Sequence, residues 1–240
     1  MTLFIFVFPS ICLSSTQYIN EIADFTQTDV KGKISGNGQQ YCAPVAVSNS
    51  LVWLGDQKNQ LSLIRKLASK QYMNTSLKNG TGTTGVLRGV EKISKALFGG
   101  YEYLEYEGWR KHPTSYSRGV KRPDIERLKS AVSRRSSAWV NIGWYQYDER
   151  ENEYKRVGGH WVTLVGSNAK QLIFHDPAPR AGGDFSNEFV NYSIINSGML
   201  VGRKSGLPTK AKDYISLERG MHIKSSADFA IIDGVVYFGI

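Results

Sequence analysis

Two cysteines and four histidines supply all the thiol and imidazole chemistry of this 240-residue chain. One of each stands in a context where they could work together. Cys42 follows an amide-rich loop, Gly36-Asn37-Gly38-Gln39-Gln40-Tyr41, and heads the run Ala43-Pro44-Val45-Ala46-Val47 that continues to Leu54 and Gly55. The spacing predicts a helix that is apolar on nearly every side, and therefore central. Pro44 is tolerated in its first turn and Gly55 ends it. A thiol at a helix N-terminus feels the positive end of the macrodipole, which favours the nucleophilic thiolate.

The partner groups lie in a hairpin more than a hundred residues on. Gly158-Gly159-His160-Trp161-Val162-Thr163-Leu164-Val165-Gly166 has strand character, and Gln171-Leu172-Ile173-Phe174-His175-Asp176-Pro177 returns from it. With a three-residue loop, Ser167 to Ala169, Gly166 falls opposite Lys170, Leu164 opposite Leu172, Val162 opposite Phe174 and His160 opposite Asp176. Residues opposite one another share a sheet face with Cβ atoms ~5 Å apart, so imidazole and carboxylate meet. A one-residue slip would separate them. The chemistry this offers is nucleophilic acyl transfer. Cys42 attacks a carbonyl, His160 takes and returns the proton, and Asp176 fixes the imidazole's tautomer. The Cys42 backbone N–H is one natural oxyanion donor. An upstream amide side chain is the other. Gly158 and Gly159 leave room for a substrate backbone, and Trp144, Tyr145 and Trp161 are candidate cleft residues or ordinary core.

Other readings of the same residue types are weaker. His175 should point away from Asp176, and strand alternation separates His160, His175 and Asp176 as metal ligands. His112 and His222 have no comparable context. The run Asn79-Gly80-Thr81-Gly82-Thr83-Thr84-Gly85 lacks a Gly-Lys-Ser/Thr ending and a preceding strand, so it reads as a turn with a Thr N-cap, not a phosphate loop.

The elements that must position these groups follow from periodicity. Helical spacing recurs over Leu61–Tyr72, Val86–Leu97 and Asp124–Val132. Strands are expected over Tyr101–Tyr106, Ala138–Tyr147, the 160–176 hairpin, Tyr214–Leu217 and Phe229–Ile240, the last turning at Asp233-Gly234. Helices come first and antiparallel strands second, so the class is α+β. A nucleophile-bearing helical half, about 36–135, should pack on a sheet half, about 136–240.

Composition is globular, with 41% hydrophobic and 12% aromatic residues. The net charge of +9 is spread along the chain, which fits solvated faces better than a nucleic-acid surface. Met1 to Ser15 opens with the bulky run Leu3–Phe8 and ends in small residues, as a secretory signal peptide does, although it has no Lys or Arg; a short first strand is the alternative. It is too short to span a membrane. An exported, monomeric chain is expected. If Cys12 leaves with the signal, Cys42 is the one remaining cysteine and no internal disulfide can form.

Three stretches together resemble a papain-like cysteine peptidase, and more narrowly the bacteriocin-processing (double-glycine leader) peptidase family and its stand-alone relatives. They are Gln39-Gln40-Tyr41-Cys42-Ala43-Pro44-Val45-Ala46, Gly159-His160-Trp161-Val162-Thr163-Leu164-Val165-Gly166 and Asp176-Pro177. The resemblance covers about residues 36 to 180 and implies a papain-like fold, peptide or protein substrates and no cofactor. The family's oxyanion glutamine stands six positions before the cysteine, where this chain has Gly36; of the available amides, Asn37, Gln39 and Gln40, Gln39 is favoured. A papain-like amidase or acyltransferase, including one that cleaves peptidoglycan, would use the same triad. An inactive papain-fold binding module is the non-enzymatic alternative.

Overall fold

The computed structural model describes residues 16–27, 33–178, 188–202, 208–220 and 223–240. The expected signal peptide, Cys12 and His222 lie outside them. The helices are α1 (Cys42–Leu54), α2 (Gln60–Ala68), α3 (Thr83–Phe98) and α4 (Ile125–Lys129). The strands are β1 (Gln17–Tyr18), β2 (Tyr103–Gly108), β3 (Ser136–Asp148), β4 (Glu153–Ser167), β5 (Gln171–His175), β6 (Glu188–Ile194), β7 (Met199–Gly202), β8 (Thr209–Lys210), β9 (Ile215–Leu217) and β10 (Phe229–Gly239). The class is α+β, and among the described residues no helix is long and apolar enough to cross a membrane.

The central feature of the sheet is a ring. β3 pairs with both β4 and β10, and β4 leads through β5, β6 and β9 back to β10, every pair antiparallel. Closure removes the open edges that a sheet of this size would otherwise expose. Alternate residues fill the interior, among them Val140, Ile142, Val162, Leu164, Phe174 and Ile232, and Leu128 of α4 packs with them. The wider sheet is mixed, not purely antiparallel as the sequence suggested: β7 runs parallel to the start of β4. β2, expected in the helical half, joins β10.

On the outer face of β3 and β4, Trp139 and Trp161 meet the helices. α1 is buried from Ala43 to Leu51, and its Val47 and Leu51 pack with Leu63 and Leu67 of α2 and Val86 and Val90 of α3. That burial explains why α1 is apolar on nearly every side while α2 and α3 are amphipathic. Its two buried hydroxyls are both bonded. Ser50 Oγ accepts from Trp139 Nε1 at 2.8 Å, and Ser48 Oγ donates to Val45 O. The cap on α3 is Gly82, with Thr83 the first helical residue, so no Thr caps it.

Two local expectations are corrected. Asp233-Gly234 is not a hairpin turn. β10 runs straight through it, and Asp233 is an extra residue between the pairs Ile232↔Ile142 and Gly234↔Asn141, a β-bulge. Tyr106 Oη lies only 2.1 Å from where a Cβ on residue 234 would stand, so glycine is needed for packing and not for a turn. The β4–β5 register also differs. Thr163 pairs with His175, Leu164 with Phe174, Gly166 with Ile173 and Ser167 with Leu172. The connection is tighter than the expected three-residue loop, with Asn168 N–H bonded to Gln171 O, and Val165 is bulged out of β4. The net displacement is two residues, so side chains keep the face expected of them.

Thr163 links the two halves: its Oγ1 donates to Ala46 O of α1 at 2.7 Å, fully buried. Thr163→Val keeps the shape and removes this bond. It should cost about 1 kcal/mol, seen as a lower urea midpoint with an unchanged slope.

Candidate active site

Cys42 is the first residue of α1 and is half-buried. His160 is on β4 and Asp176 lies one residue beyond the end of β5; both are buried. The structure brings the three together. His160 Nε2 meets Asp176 Oδ1 at 2.5 Å. Burial by itself would depress the imidazole pKa, but the charge and hydrogen bond of Asp176, with Cys42 adding in the same direction, raise it to about 10. Asp176 is itself held. Its Oδ1 also accepts from Ala178 N–H at 2.8 Å, and its own N–H donates to Glu188 Oε2 at 2.9 Å. Pro177 ends the strand, as expected, and its carbonyl accepts from Gln27 N–H. His175 faces away and donates through Nδ1 to Ala23 O at 3.1 Å.

Glu188 was not visible in the sequence. It enters because β6 pairs with β5 so that Glu188 sits opposite Phe174, close to Asp176, and no local motif announces that register. Burial, then the Asp176 charge, pushes its carboxyl up to about 9. Glu188 therefore holds a proton at neutral pH beside Asp176.

A cleft of about 540 Å³ opens beside Cys42. One wall is the Asn79–Thr84 turn, where Thr81 O accepts from Trp161 Nε1 at 3.1 Å. The other wall is the outer face of β3 and β4, with Asn141, Gly159 and Trp161. Gln40 borders this cleft and its side chain lies by Gly80. Gln39, the amide favoured from sequence, is exposed and does not border it. Of the residues assigned to substrate, Trp161 and Gly159 do line the cleft. Trp144 instead stacks on the His160 ring, centroids 5.9 Å apart and planes 19° from parallel. Gly158 packs against Trp144, whose Cδ1 is 3.0 Å from where a Cβ would stand.

The space above Gly159 is filled by Arg156, with Nη2 2.1 Å from the position of a Cβ. Arg156 gets there through a second bulge in β4. Gly158 pairs with Trp144 but Arg156 with Tyr145, leaving Val157 unpaired. The extra residue turns Arg156 from the ring-interior face to the cleft face. There its Nε donates to the buried Asp233 Oδ2 at 2.6 Å, while Asp233 Oδ1 accepts from Trp109 Nε1 at 2.9 Å and from Tyr145 Oη. Arg110 and Lys111 also line the cleft. Not all the positive charge is therefore on solvated faces.

No family model and no curated protein matches the chain. Among solved structures it is similar to the peptidase domain of Streptococcus ComA, a bi-functional ABC transporter of a quorum-sensing pathway, at 14% identity over 83% of this chain and 91% of that one, with a TM-score of 0.37. It is also similar to a C39-like peptidase from Bacillus anthracis, at 11% identity over 93% of this chain and 97% of that one, with a TM-score of 0.43.

His160 and Glu188 both bind protons more tightly in the folded chain than their ordinary values allow. The stability they contribute is fully present below those ordinary values, near 6.5 and 4.5, and is lost as pH rises through about 10 and about 9. Glu188→Gln keeps an acceptor for Asp176 N–H and abolishes one of the two titrations. Its melting temperature should fall less than that of wild type between about pH 5 and about pH 10. Parallel curves would mean that Glu188 is charged throughout.

Proposed function

We propose that this chain is a cysteine peptidase that hydrolyses peptide bonds through Cys42, His160 and Asp176 and a thioester intermediate. The observation that carries the reading is the buried imidazole held between an anchored carboxylate and a half-buried thiol at a helix N-terminus. Nε2 is committed to Asp176, which leaves Nδ1 for the cysteine. The imidazole beside the thiol can hold its proton, which gives a thiolate–imidazolium pair as the reacting form.

In the reaction the thiolate adds to the scissile carbonyl carbon and the carbonyl oxygen becomes the oxyanion. The Cys42 backbone N–H and the Gln40 side chain are the donors assigned to it. Gln40 takes the place of Gln39 because it borders the cleft with Cys42. His160 then gives its proton to the leaving amine, and the thioester forms. The now neutral imidazole takes a proton from water, whose oxygen attacks the thioester. Collapse of that second tetrahedral species releases the acid and restores the thiolate–imidazolium pair. Trp144, stacked on the ring, and Asp176 keep the imidazole in one orientation through both halves.

The test is labelling with an electrophilic peptide probe. Wild type should be labelled at Cys42, Cys42→Ala not at all, and His160→Ala more slowly by about 10²–10⁴-fold. Labelling that survives His160→Ala unchanged would mean an accessible thiol without a base. A folded wild type that resists labelling would mean a binding module.

A further inference from the structure

The cleft beside Cys42 is lopsided in charge. Arg110, Lys111 and Arg156 line it, and among its described lining residues none is acidic. The buried Asp233 behind it is fully engaged, with one oxygen taken by Trp109 and Tyr145 and the other by Arg156. Asp233 is therefore paired with Arg156, and its charge reaches Arg110 without a hydrogen bond between them. Arg110 lies against the Trp109 ring, its guanidinium carbon 4.9 Å from the ring centroid. Its Nη1 is buried and has no hydrogen-bond partner among the described residues. Burial, then the nearby charge of Arg156, pulls the Arg110 pKa down, as expected of a cation held beside another cation. A buried donor left unpaired is costly, more so when charged, and such groups in folded proteins call for a partner. The group that best fits a guanidinium fork is a carboxylate.

We propose that this cleft is a carboxylate-binding subsite, in which Arg110, flanked by Arg156 and with Lys111 at the exposed rim, holds a carboxylate of the peptide whose bond Cys42 attacks. The carboxylate is either an acidic side chain or a free C-terminus. The inference rests on the reading of Cys42 as the nucleophile. The Val157 bulge serves the same end, since without it Arg156 would point into the ring.

The charge is tested first with two alkylating agents of nearly equal size, iodoacetate and iodoacetamide, on the full chain. Each transfers its carbon to the Cys42 sulfur with loss of iodide, and only iodoacetate carries a carboxylate. His160 favours the anion in every variant, so the comparison is the iodoacetate-to-iodoacetamide rate ratio between variants. That ratio should fall about tenfold in Arg110→Gln and less in Arg110→Lys, which keeps charge but not the fork. A ratio unchanged in Arg110→Gln overturns the subsite. Three peptides in wild type then separate the sources and do not depend on any variant folding: one ending Glu-amide, one ending Gln-amide and one ending Gln with a free carboxylate. Protection of Cys42 from iodoacetamide by the first alone identifies an acidic residue, and by the third alone a C-terminus. Equal protection by all three, or by none, overturns the proposal. The nucleophile reading fails separately, if iodoacetamide alkylates Cys42 no faster than a free cysteine. In that event the melting-temperature shift given by the same three peptides reads the subsite.

Discussion

Strand alternation along β4 is the constraint on which the rest of the structure depends. Val162 and Leu164 point into the closed ring with the fill of β3, β5 and β10. Between them Thr163 points outward and bonds Ala46 of α1, and Trp161 packs with the helices and bonds Thr81 O. His160 continues the inward set to the end of the ring, where it finds Asp176 and Trp144. One strand thus fastens the helix headed by Cys42 with one set of side chains and presents the imidazole with the other. Because the period is two, both sets are fixed together, and a one-residue slip would lose the helix and the imidazole at once.

The ring makes such a slip expensive. Its antiparallel pairs close on themselves, so β4 cannot shift against β5 without disturbing β3 and β10 as well. Departures from regular pairing are then confined to single extra residues, at Val157, Val165 and Asp233. Each reverses the facing of what lies beyond it. Val165 restores Asp176 to the face of His160. Val157 and Asp233 bring Arg156 and its counter-ion together beside Gly143 and Gly159, where the missing side chains make room.

This also explains what the sequence disclosed. The helix headed by Cys42 was legible because its burial imposes the apolar run Ala43–Val47 with Leu51 beyond it, and the His160 strand because its alternation is strong. The facing of His160 and Asp176 was legible although the register was not. A tighter turn and one bulge displaced the pairing by two, and an even displacement preserves facing. Bulges leave no local signature. Asp233-Gly234 has the composition of a turn, and only pairing with β3 on one side and β2 on the other makes it the middle of a strand. Arg156 and Arg110 read as scattered charge for the same reason, since their convergence depends on Val157 and on β2 lying beside β10. Glu188 and the preference for Gln40 over Gln39 likewise depend on tertiary register.

The two buried ion pairs on either side of β4 differ in kind, and the difference fits their positions. His160 with Asp176 joins a group whose proton can leave to a carboxylate pinned by Ala178 N–H, with Glu188 behind it carrying a proton of its own. That assembly can pass a proton without creating an isolated buried charge, because the negative charge of Asp176 remains compensated by its hydrogen bonds. Arg156 with Asp233 joins a cation that never titrates to a carboxylate sealed by Trp109 and Tyr145. It fixes the charge of the cleft whatever the state of the imidazole. Breaking a buried pair of this sort by removing one partner costs about 3–5 kcal/mol, so the fold holds the cleft's charge in place. The titratable pair and the fixed charge thus lie on opposite faces of one strand, so a change of protonation at His160 leaves the Arg156–Asp233 pair in place.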